Sequence, residues 1–489
     1  MQRAIVERHL RRIIAKTWLV LVVLSGTFMA ATCSPGQDSS FAQVSSVYVE
    51  PFTGGNQAAP LRESFVRRLQ KSGKYRVVDT TQEADAIVRG EGQIWVRGHF
   101  TTNSRAPTAD RQTVYGGYLS VEVIGKDHEP LWSYLVTPSR FSWLSIQEDL
   151  ASNLVKQMLL ARDNKDQPVA SAGAKQVLAT AEIAGAGATF PHPLYRKWFE
   201  SFQEIQPNVK LSYKAVGSEE GMRMLAASEV DFAASDVTSI SDPNAGQATR
   251  RIASVLGAVV PIYNLSEVTQ DLNFTPEALA DIYLGRITKW SDPAIAKSNR
   301  SADLPDAAIV VFHRSDGSGT THAWSDFLSK VSPAWKSGVG AGTTLKWPTG
   351  TEALGNEGVA EAVAQTPNSI GYVELVYAIR HHLSYGTVRN SSGNYIRADL
   401  DSVAEAASNA SPDSLTSITN PPGKDAYPIA SLTWLLFPQE IKDEAKKAAL
   451  FELLRWILTS GQQECSSLGY APLPRSLASQ QLELLNSFH

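Results

Sequence analysis

The stretch Arg314-Ser315-Asp316-Gly317-Ser318-Gly319-Thr320 packs one guanidinium, one carboxylate, three hydroxyls and two glycines into seven residues. Such a set can hold an oxyanion. The glycines let an anion approach the backbone, Arg314 offers a planar fork of donors, and Ser318 and Thr320 add hydroxyl donors. Asp316, two residues from Arg314, can hold the guanidinium in place through charge-assisted hydrogen bonds. The plainer reading is a helix start capped by Ser318 beside a surface Arg314–Asp316 pair, and the loop alone does not choose between them.

The flanking residues must position this loop. The apolar run Ala307 to Phe312 reads as a buried strand leading in, and Trp324, Phe327, Leu328 and Val331 recur at helical spacing leading out. The loop therefore opens a helix, where the first N–H groups lack intrahelical partners and the dipole favours negative charge.

Three more turns share this form. Gly185-Ala186-Gly187-Ala188-Thr189-Phe190-Pro191 precedes a helical face of Leu194, Trp198, Phe199, Phe202 and Ile205. Its GxG pair suggests a dinucleotide fingerprint, but Phe190 stands where the third glycine belongs and no acid follows at the expected distance. A backbone-lined helix start with the Thr189 hydroxyl remains. Val209, Leu211, Tyr213 and Ala215 alternate as a strand leading into Gly217-Ser218-Glu219-Glu220-Gly221, and the strand-like Val230 to Ala234 ends in Ser235-Asp236. Each turn alone reads most simply as a cap.

The beginning of the chain places these turns in a compartment. Arg3, Arg8, Arg11, Arg12 and Lys16 precede a hydrophobic run from Thr17 to Ala31, followed by small and polar residues, which is a secretory signal pattern over residues 1–32. The run is shorter than the roughly 20 apolar residues of a spanning helix. Cys33 follows Ala30-Ala31-Thr32, where an exported lipoprotein carries its lipidated cysteine, although a residue smaller than Thr32 is usual there; lipidation and simple cleavage both stay open. Either way the chain is expected to be periplasmic or extracytoplasmic. Cys465 is the one other cysteine, so disulfides do not frame the fold.

The 489 residues suffice for two or more domains. Removing the five positive charges and one negative charge of Met1 to Thr32 takes the formal charge from −4 to −8. This balance argues against a nucleic-acid partner, and any anion must be drawn by local groups.

Residues 41–162 carry a compact α+β pattern. Val47 and Val49 alternate as a strand, Leu61, Phe65 and Leu69 mark a helix starting near Pro60, and Tyr75 to Val78 and Ala86 to Val88 read as short strands. Ile94/Val96 and Leu119/Val121/Val123 continue the alternation, a return strand falls near Trp132 to Leu135, and Leu150, Leu154 and Met158 line a closing helix. Asp85 reads as a cap rather than a catalyst. The order of strand, helix and strand before Glu83-Ala84-Asp85-Ala86-Ile87-Val88-Arg89-Gly90 resembles the small α/β domains of cell-envelope proteins such as the TolB N-terminal domain and curli-secretion lipoproteins, which implies an envelope protein partner. Residues 163–180 are small and polar and read as a linker.

From about Glu182 onward the sequence resembles the PstS family, the phosphate-binding proteins of the bacterial phosphate ABC importer. The resemblance is carried by Gly185 to Pro191, Asp231-Phe232-Ala233-Ala234-Ser235-Asp236, Asp281-Ile282-Tyr283-Leu284-Gly285-Arg286-Ile287-Thr288-Lys289-Trp290, Arg314 to Thr320, Ile370-Gly371-Tyr372-Val373-Glu374 and Tyr470-Ala471-Pro472-Leu473-Pro474, in this order. It implies an α/β fold: a two-lobed domain like the type II periplasmic binding proteins over residues 181–489, preceded by the small α+β domain. Lobe 1 is expected to take about 182–256 and 427–489, and lobe 2 about 257–426.

The resemblance also implies a function: capture of inorganic phosphate and delivery to the membrane subunits of an ABC importer, without cofactor, metal or catalysis. Carried over by position, Thr189, Phe190, Ser218, Asp236, Arg314, Ser318, Gly319 and Thr320 are the implied phosphate contacts, with Asp316 steadying Arg314 and Phe190 and Gly319 contributing backbone N–H groups. Asp236 is the one whose charge has the wrong sign, and it can accept the proton of hydrogen phosphate where fully ionised sulfate offers none. Glu219 and Glu220 depart from the small residues usual in the family, and their expected orientation is outward, complementing the helix dipole.

Two other classes compete. A hydrolase would use Ser318, His322 and Asp316 or Asp326, but no G-x-S-x-G elbow frames Ser318. His192 and His313 read as loop or packing residues, and His381-His382 as a solvated pair. A phosphate sensor or envelope structural protein with a PstS-like domain is the alternative that the extra N-terminal domain favours.

Overall fold

A computed structural model describes residues 41–101, 111–126, 128–139, 145–163, 177–237, 249–408 and 417–488. The signal pattern, Cys33 and most of the expected linker lie outside the described residues.

The N-terminal module is a sheet of β1 (Ser46–Val49), β2 (Arg76–Val78), β3 (Ala86–Thr101), β4 (Arg111–Gly125) and β5 (Pro130–Val136), in the order β2-β1-β3-β4-β5. Helices Ala58–Lys71 and Ile146–Asp163 bury Leu61, Phe65, Leu69, Leu150, Leu154 and Met158 against one face of it. The core begins at Phe41, whose ring stacks on Trp132 at 5.5 Å. Asp85 accepts from the Ser45 and Ser46 N–H groups at 3.0 and 2.8 Å, a cap as expected.

One expectation fails here. Ala86 to Val88 and Ile94/Val96 are not separate strands but parts of the 16-residue β3. Gly90 and Gly92 break the apolar alternation because a Cβ on either would strike Phe52 or Leu61; those side chains fill the space above the strand.

The second module has its own core, in which Trp198, Trp290, Trp324 and Trp335 are fully buried. Its main sheet holds β6 (Ala181–Gly187), β7 (Val209–Ala215), β8 (Phe232–Ser235) and β9 (Thr249–Asn264). After the short β10 (Asn273–Phe274) come β11 (Val310–Arg314), β12 (Thr351–Ala353) and β13 (Ser369–Glu374). The small β14 (Ser384–Tyr385), β15 (Thr387–Arg389) and β16 (Tyr395–Ile396) precede the last strand, β17 (Ala430–Pro438). The main sheet runs β12-β11-β13-β9-β17-β8-β6-β7, with β14 also paired to β9.

The two lobes meet along β9. This strand is buried without interruption from Ile252 to Tyr263, as a strand covered on both faces must be. Its first part pairs antiparallel with β17 as far as Ala258, and its second pairs with β13 from Val259 onward. One strand thus belongs to both halves of the sheet.

The strand expected over Ala307 to Phe312 starts later, at Val310, which is itself partly exposed; Ala308 makes only an isolated bridge to Lys289.

Candidate anion-binding site

All four predicted turns end strands of the main sheet and face one another across the lobes. Gly187 closes β6 at φ 137°, and a Cβ there would collide with the Ala234 carbonyl of β8, so only glycine lets the two strand ends close up. The turn then presents Thr189 and Phe190, whose carbonyls accept from the Tyr377 hydroxyl at 2.6 Å and the Tyr470 hydroxyl at 2.7 Å. Two buried tyrosines thereby fix the peptide planes of this turn.

Ser218 begins its helix, yet it does not cap it. The cap position is Gly217 at φ 97°, where a Cβ would lie 2.6 Å from Asp316 Oδ2. The Ser218 hydroxyl is turned to the other lobe, accepting the Gly319 N–H at 3.2 Å.

In lobe 2, Ser318 does cap helix Gly319–Val331, accepting from Thr321 N–H at 3.1 Å. The accompanying Arg314–Asp316 pair is no surface feature: the side chains are 1% and 9% exposed. Arg314 Nε donates to Asp316 Oδ1 at 2.7 Å, Nη2 donates to Oδ2, and Nη1 donates to Thr320 Oγ1 at 3.3 Å. Asp316 also accepts Gly355 N–H at 3.0 Å. Burial alone would raise the Asp316 carboxyl, but the Arg314 hydrogen bonds and charge outweigh it and hold the group below its ordinary value. A charged pair this buried is a fixed fork, already oriented before any ligand arrives.

Asp236 sits opposite. Its Oδ1 accepts from the Thr433 hydroxyl at 2.6 Å, while Oδ2 is buried with no hydrogen-bond partner among the described residues. A Cβ on Gly319 would lie 2.5 Å from that same Oδ2 and 2.7 Å from Ser218 Oγ, so the glycine brings backbone, carboxylate and hydroxyl together. Burial pushes Asp236 up to about 7, against the Thr433 hydrogen bond and the Arg314 charge. An orphan carboxylate oxygen of this kind asks for a proton.

A family model described as a PBP superfamily domain matches residues 170–460. The chain is 40% identical over 300 residues to the phosphate-binding protein PstS of Pasteurella multocida, covering 60% of this chain and 87% of that one. The chain belongs to the PstS family. It is also 40% identical over 304 residues to PstS of Xylella fastidiosa, covering 61% of this chain and 83% of the relative. A solved structure titled as a high affinity periplasmic phosphate-binding protein (PfluDING) bound with phosphate matches with TM-score 0.52 and 20% identity, over 61% of this chain and 92% of that one, a likeness of fold.

Two features were not anticipated from the sequence. Asn356 of lobe 2 donates through Nδ2 to Thr189 Oγ1 at 2.9 Å and to Thr320 Oγ1 at 3.2 Å, and its Oδ1 accepts Glu374 N–H at 3.0 Å. Its signal was a Gly355-Asn356 pair ahead of the helical Val359, Ala360 and Val363. Thr433, the partner of Asp236, stood out only as a hydroxyl inside the apolar run of β17.

Glu220 points outward as expected, paired with Arg223 at 2.8 Å. Glu219 does not simply face solvent. Its carboxylate crosses to lobe 2, accepting from the Thr343 hydroxyl and, at 3.2 Å, from the Thr344 hydroxyl, while its N–H donates to Gly317 O at 3.1 Å.

The hydrolase groups are engaged elsewhere: Asp316 faces Arg314, and Asp326 accepts from Ser417, Thr419 and Lys330. The histidine pair is not merely solvated. His381 meets Glu357 at 2.8 Å, and His382 stacks on Trp95 at 4.0 Å.

Proposed function

We propose that this chain is an extracytoplasmic solute-binding protein that captures inorganic phosphate between its two lobes and delivers it to an ABC importer. The observation that carries the reading is the buried, unpartnered Asp236 Oδ2 beside Gly319, facing a lobe that holds the Arg314 fork. An anion site that contains a carboxylate favours an anion bringing its own proton. Hydrogen phosphate does so and sulfate does not, so sulfate would leave two negative groups facing each other.

In this reading Thr189, Ser218, Ser318 and Thr320 supply hydroxyls, Phe190 and Gly319 supply N–H groups, Arg314 supplies the positive fork, and Asp316 holds it. Donors to an ionised ligand are each worth about 1.5–3 kcal/mol, and closing the lobes removes competing water. The names of the relatives support the same ligand, and being binding proteins rather than enzymes they support capture without turnover.

The proposal includes domain limits of 41–162 and 181–489, with the lobes exchanging near residues 257 and 427. The separate cores and the change of partners along β9 support these limits. It also includes export directed by residues 1–32, with Cys33 either lipidated or removed. No helix among the described residues is long and apolar enough to cross a membrane.

Calorimetric titration of the full chain tests the function: phosphate binds and sulfate at the same concentration gives no heat at pH 8. Equal affinity for the two anions would remove the role of Asp236, and no phosphate binding would leave only the envelope-structural reading. The presence of an extra N-terminal module with its own core is the feature that favours that second reading.

A further inference from the structure

The cleft is closed. Gly319 N–H of lobe 2 reaches Ser218 of lobe 1, and Asn356 reaches Thr189. On another side of the same pair of lobes, the rigid sheet of the N-terminal module touches both.

The contact with lobe 1 is buried and neutral in the main. The Ser120 hydroxyl on β4 donates to Ser467 O at 2.7 Å, the Ser133 hydroxyl on β5 donates to Gln463 O and accepts Ser467 N–H at 3.0 Å, and all three serines are buried. Glu122 on β4 ties in the Ser467 hydroxyl at 2.9 Å and Lys197 at 3.2 Å.

The contact with lobe 2 is charged and looser. Arg97 on β3 donates to Asp271 Oδ1 at 3.0 Å and to the Ser384 hydroxyl at 3.1 Å, while Arg397 donates to Asp271 Oδ2 at 3.0 Å and to the Thr137 hydroxyl at 2.8 Å. Gln93 meets His382 at 2.8 Å, and Trp95 stacks on the same ring. A cavity of about 330 Å³ opens in this seam, lined by Trp95, Arg97, Thr137, Asp271, Tyr385 and Arg397.

We propose that the N-terminal module is a brace across the closed lobes, one that stays with lobe 1 and lets go of lobe 2 when the cleft opens. The inference rests on the reading of the cleft as a phosphate site. Gln93, Trp95, Arg97, Ser120 and Ser133 stand on adjacent strands of one hydrogen-bonded sheet, so the module moves as a unit. A rotation of one lobe relative to the other about the β9 crossing cannot preserve both seams. The lobe 1 seam is held by buried serines bonded to main-chain groups, whereas the lobe 2 seam is ionic, weakened by salt and interrupted by the cavity, so it yields first. Because phosphate and brace favour the same closed form, each must tighten the other by the same factor.

The test uses the full chain and two variants, Arg97→Ala and Gln93→Ala, which remove lobe 2 contacts far from the anion site. Phosphate dissociation is followed by stopped flow at low and high salt, and hydrogen exchange at residues 271 and 382–385 is followed without phosphate. Arg97→Ala is expected to release phosphate about 5- to 20-fold faster, with association within about twofold of the unmodified chain, and Gln93→Ala to show the same direction more weakly. High salt is expected to speed release from the unmodified chain more than from Arg97→Ala. Protection at 271 and 382–385 is expected to fall in both variants. Unchanged release in a variant that binds phosphate overturns the brace. If the unmodified chain binds no phosphate, the phosphate reading is the one that fails, and unchanged protection in the variants then overturns the brace by itself.

Discussion

Asn356 Nδ2 lies 2.9 Å from Thr189 Oγ1, joining the first turn of a lobe 2 helix to the first turn of lobe 1. Because the same amide reaches Thr320 at 3.2 Å, a single side chain sets the separation of two hydroxyls assigned to the ligand. Asn356→Ala leaves both without that donor in a buried site. Phosphate affinity measured by calorimetry is expected to fall about 10- to 100-fold, the effect of one lost buried hydrogen-bond partner. An affinity within twofold of the unmodified chain would show that Asn356 does not position them.

On the proposed reading, Asp236 links anion choice to pH. Burial raises its carboxyl to about 7. Above that pH the ionised carboxylate repels sulfate; below it the protonated group can donate a hydrogen bond to sulfate instead. Sulfate affinity is therefore expected to rise about tenfold or more between pH 8.5 and 5.5, while Asp236→Asn, which donates at every pH, weakens phosphate binding and flattens the sulfate profile. Sulfate binding that weakens on acidification sinks the assignment.

The same group affects folding. With the folded value raised to about 7 and the unfolded value near 3.8, the native state holds the extra proton between them. The Asp236 contribution to stability without ligand is accordingly largest below about pH 4, is lost as pH rises to 7, and then levels. Urea denaturation across this range should show a smaller decline in Asp236→Asn; an identical decline in both proteins contradicts the burial argument.

On the proposed reading, Glu219 would act on a bound anion in two opposite ways, since its charge repels while its hydrogen bonds to Thr343 and Thr344 hold the lobes together. The bonds cross directly between lobes, whereas the carboxylate is solvent-exposed and screened, so closure should dominate. Glu219→Ala is expected to release phosphate about 2- to 10-fold faster in stopped flow. Slower release would mean that repulsion wins.

Gly221 tests the close approach of the turns. A Cβ there would collide with Gly187 Cα, backbone against backbone. Gly221→Ala should cost about 1–3 kcal/mol in urea unfolding, the usual toll of overpacking. A neutral effect would mean that the helix starting at Ser218 can shift freely.

Much of the candidate site was readable because its residues occupy turns between an apolar strand and a helical period, where Gly, Ser and Thr have few other reasons to cluster. Arg314 and Asp316 were legible as a pair because they are two residues apart. Asn356 and Thr433 were not, since their partners Thr189 and Asp236 lie 167 and 197 residues away and nothing local distinguishes them from a helix start and a strand hydroxyl. The same limit explains Glu219: helix geometry predicts an outward carboxylate, and the threonines that receive it come from another lobe. In the N-terminal module β3 read as two separate stretches because Gly90 and Gly92 interrupt its apolar alternation, and the aromatic and leucine side chains that need their space belong to other elements.

The unbroken burial of β9 has a consequence for how the molecule comes apart. Since Thr249–Ala258 and Val259–Asn264 are successive halves of one extended segment, neither lobe can lose its central strand without pulling apart the other's. The ligand-binding part should melt in a single calorimetric peak whose enthalpy matches its full size, and damage seeded in either lobe should be reported by probes in both.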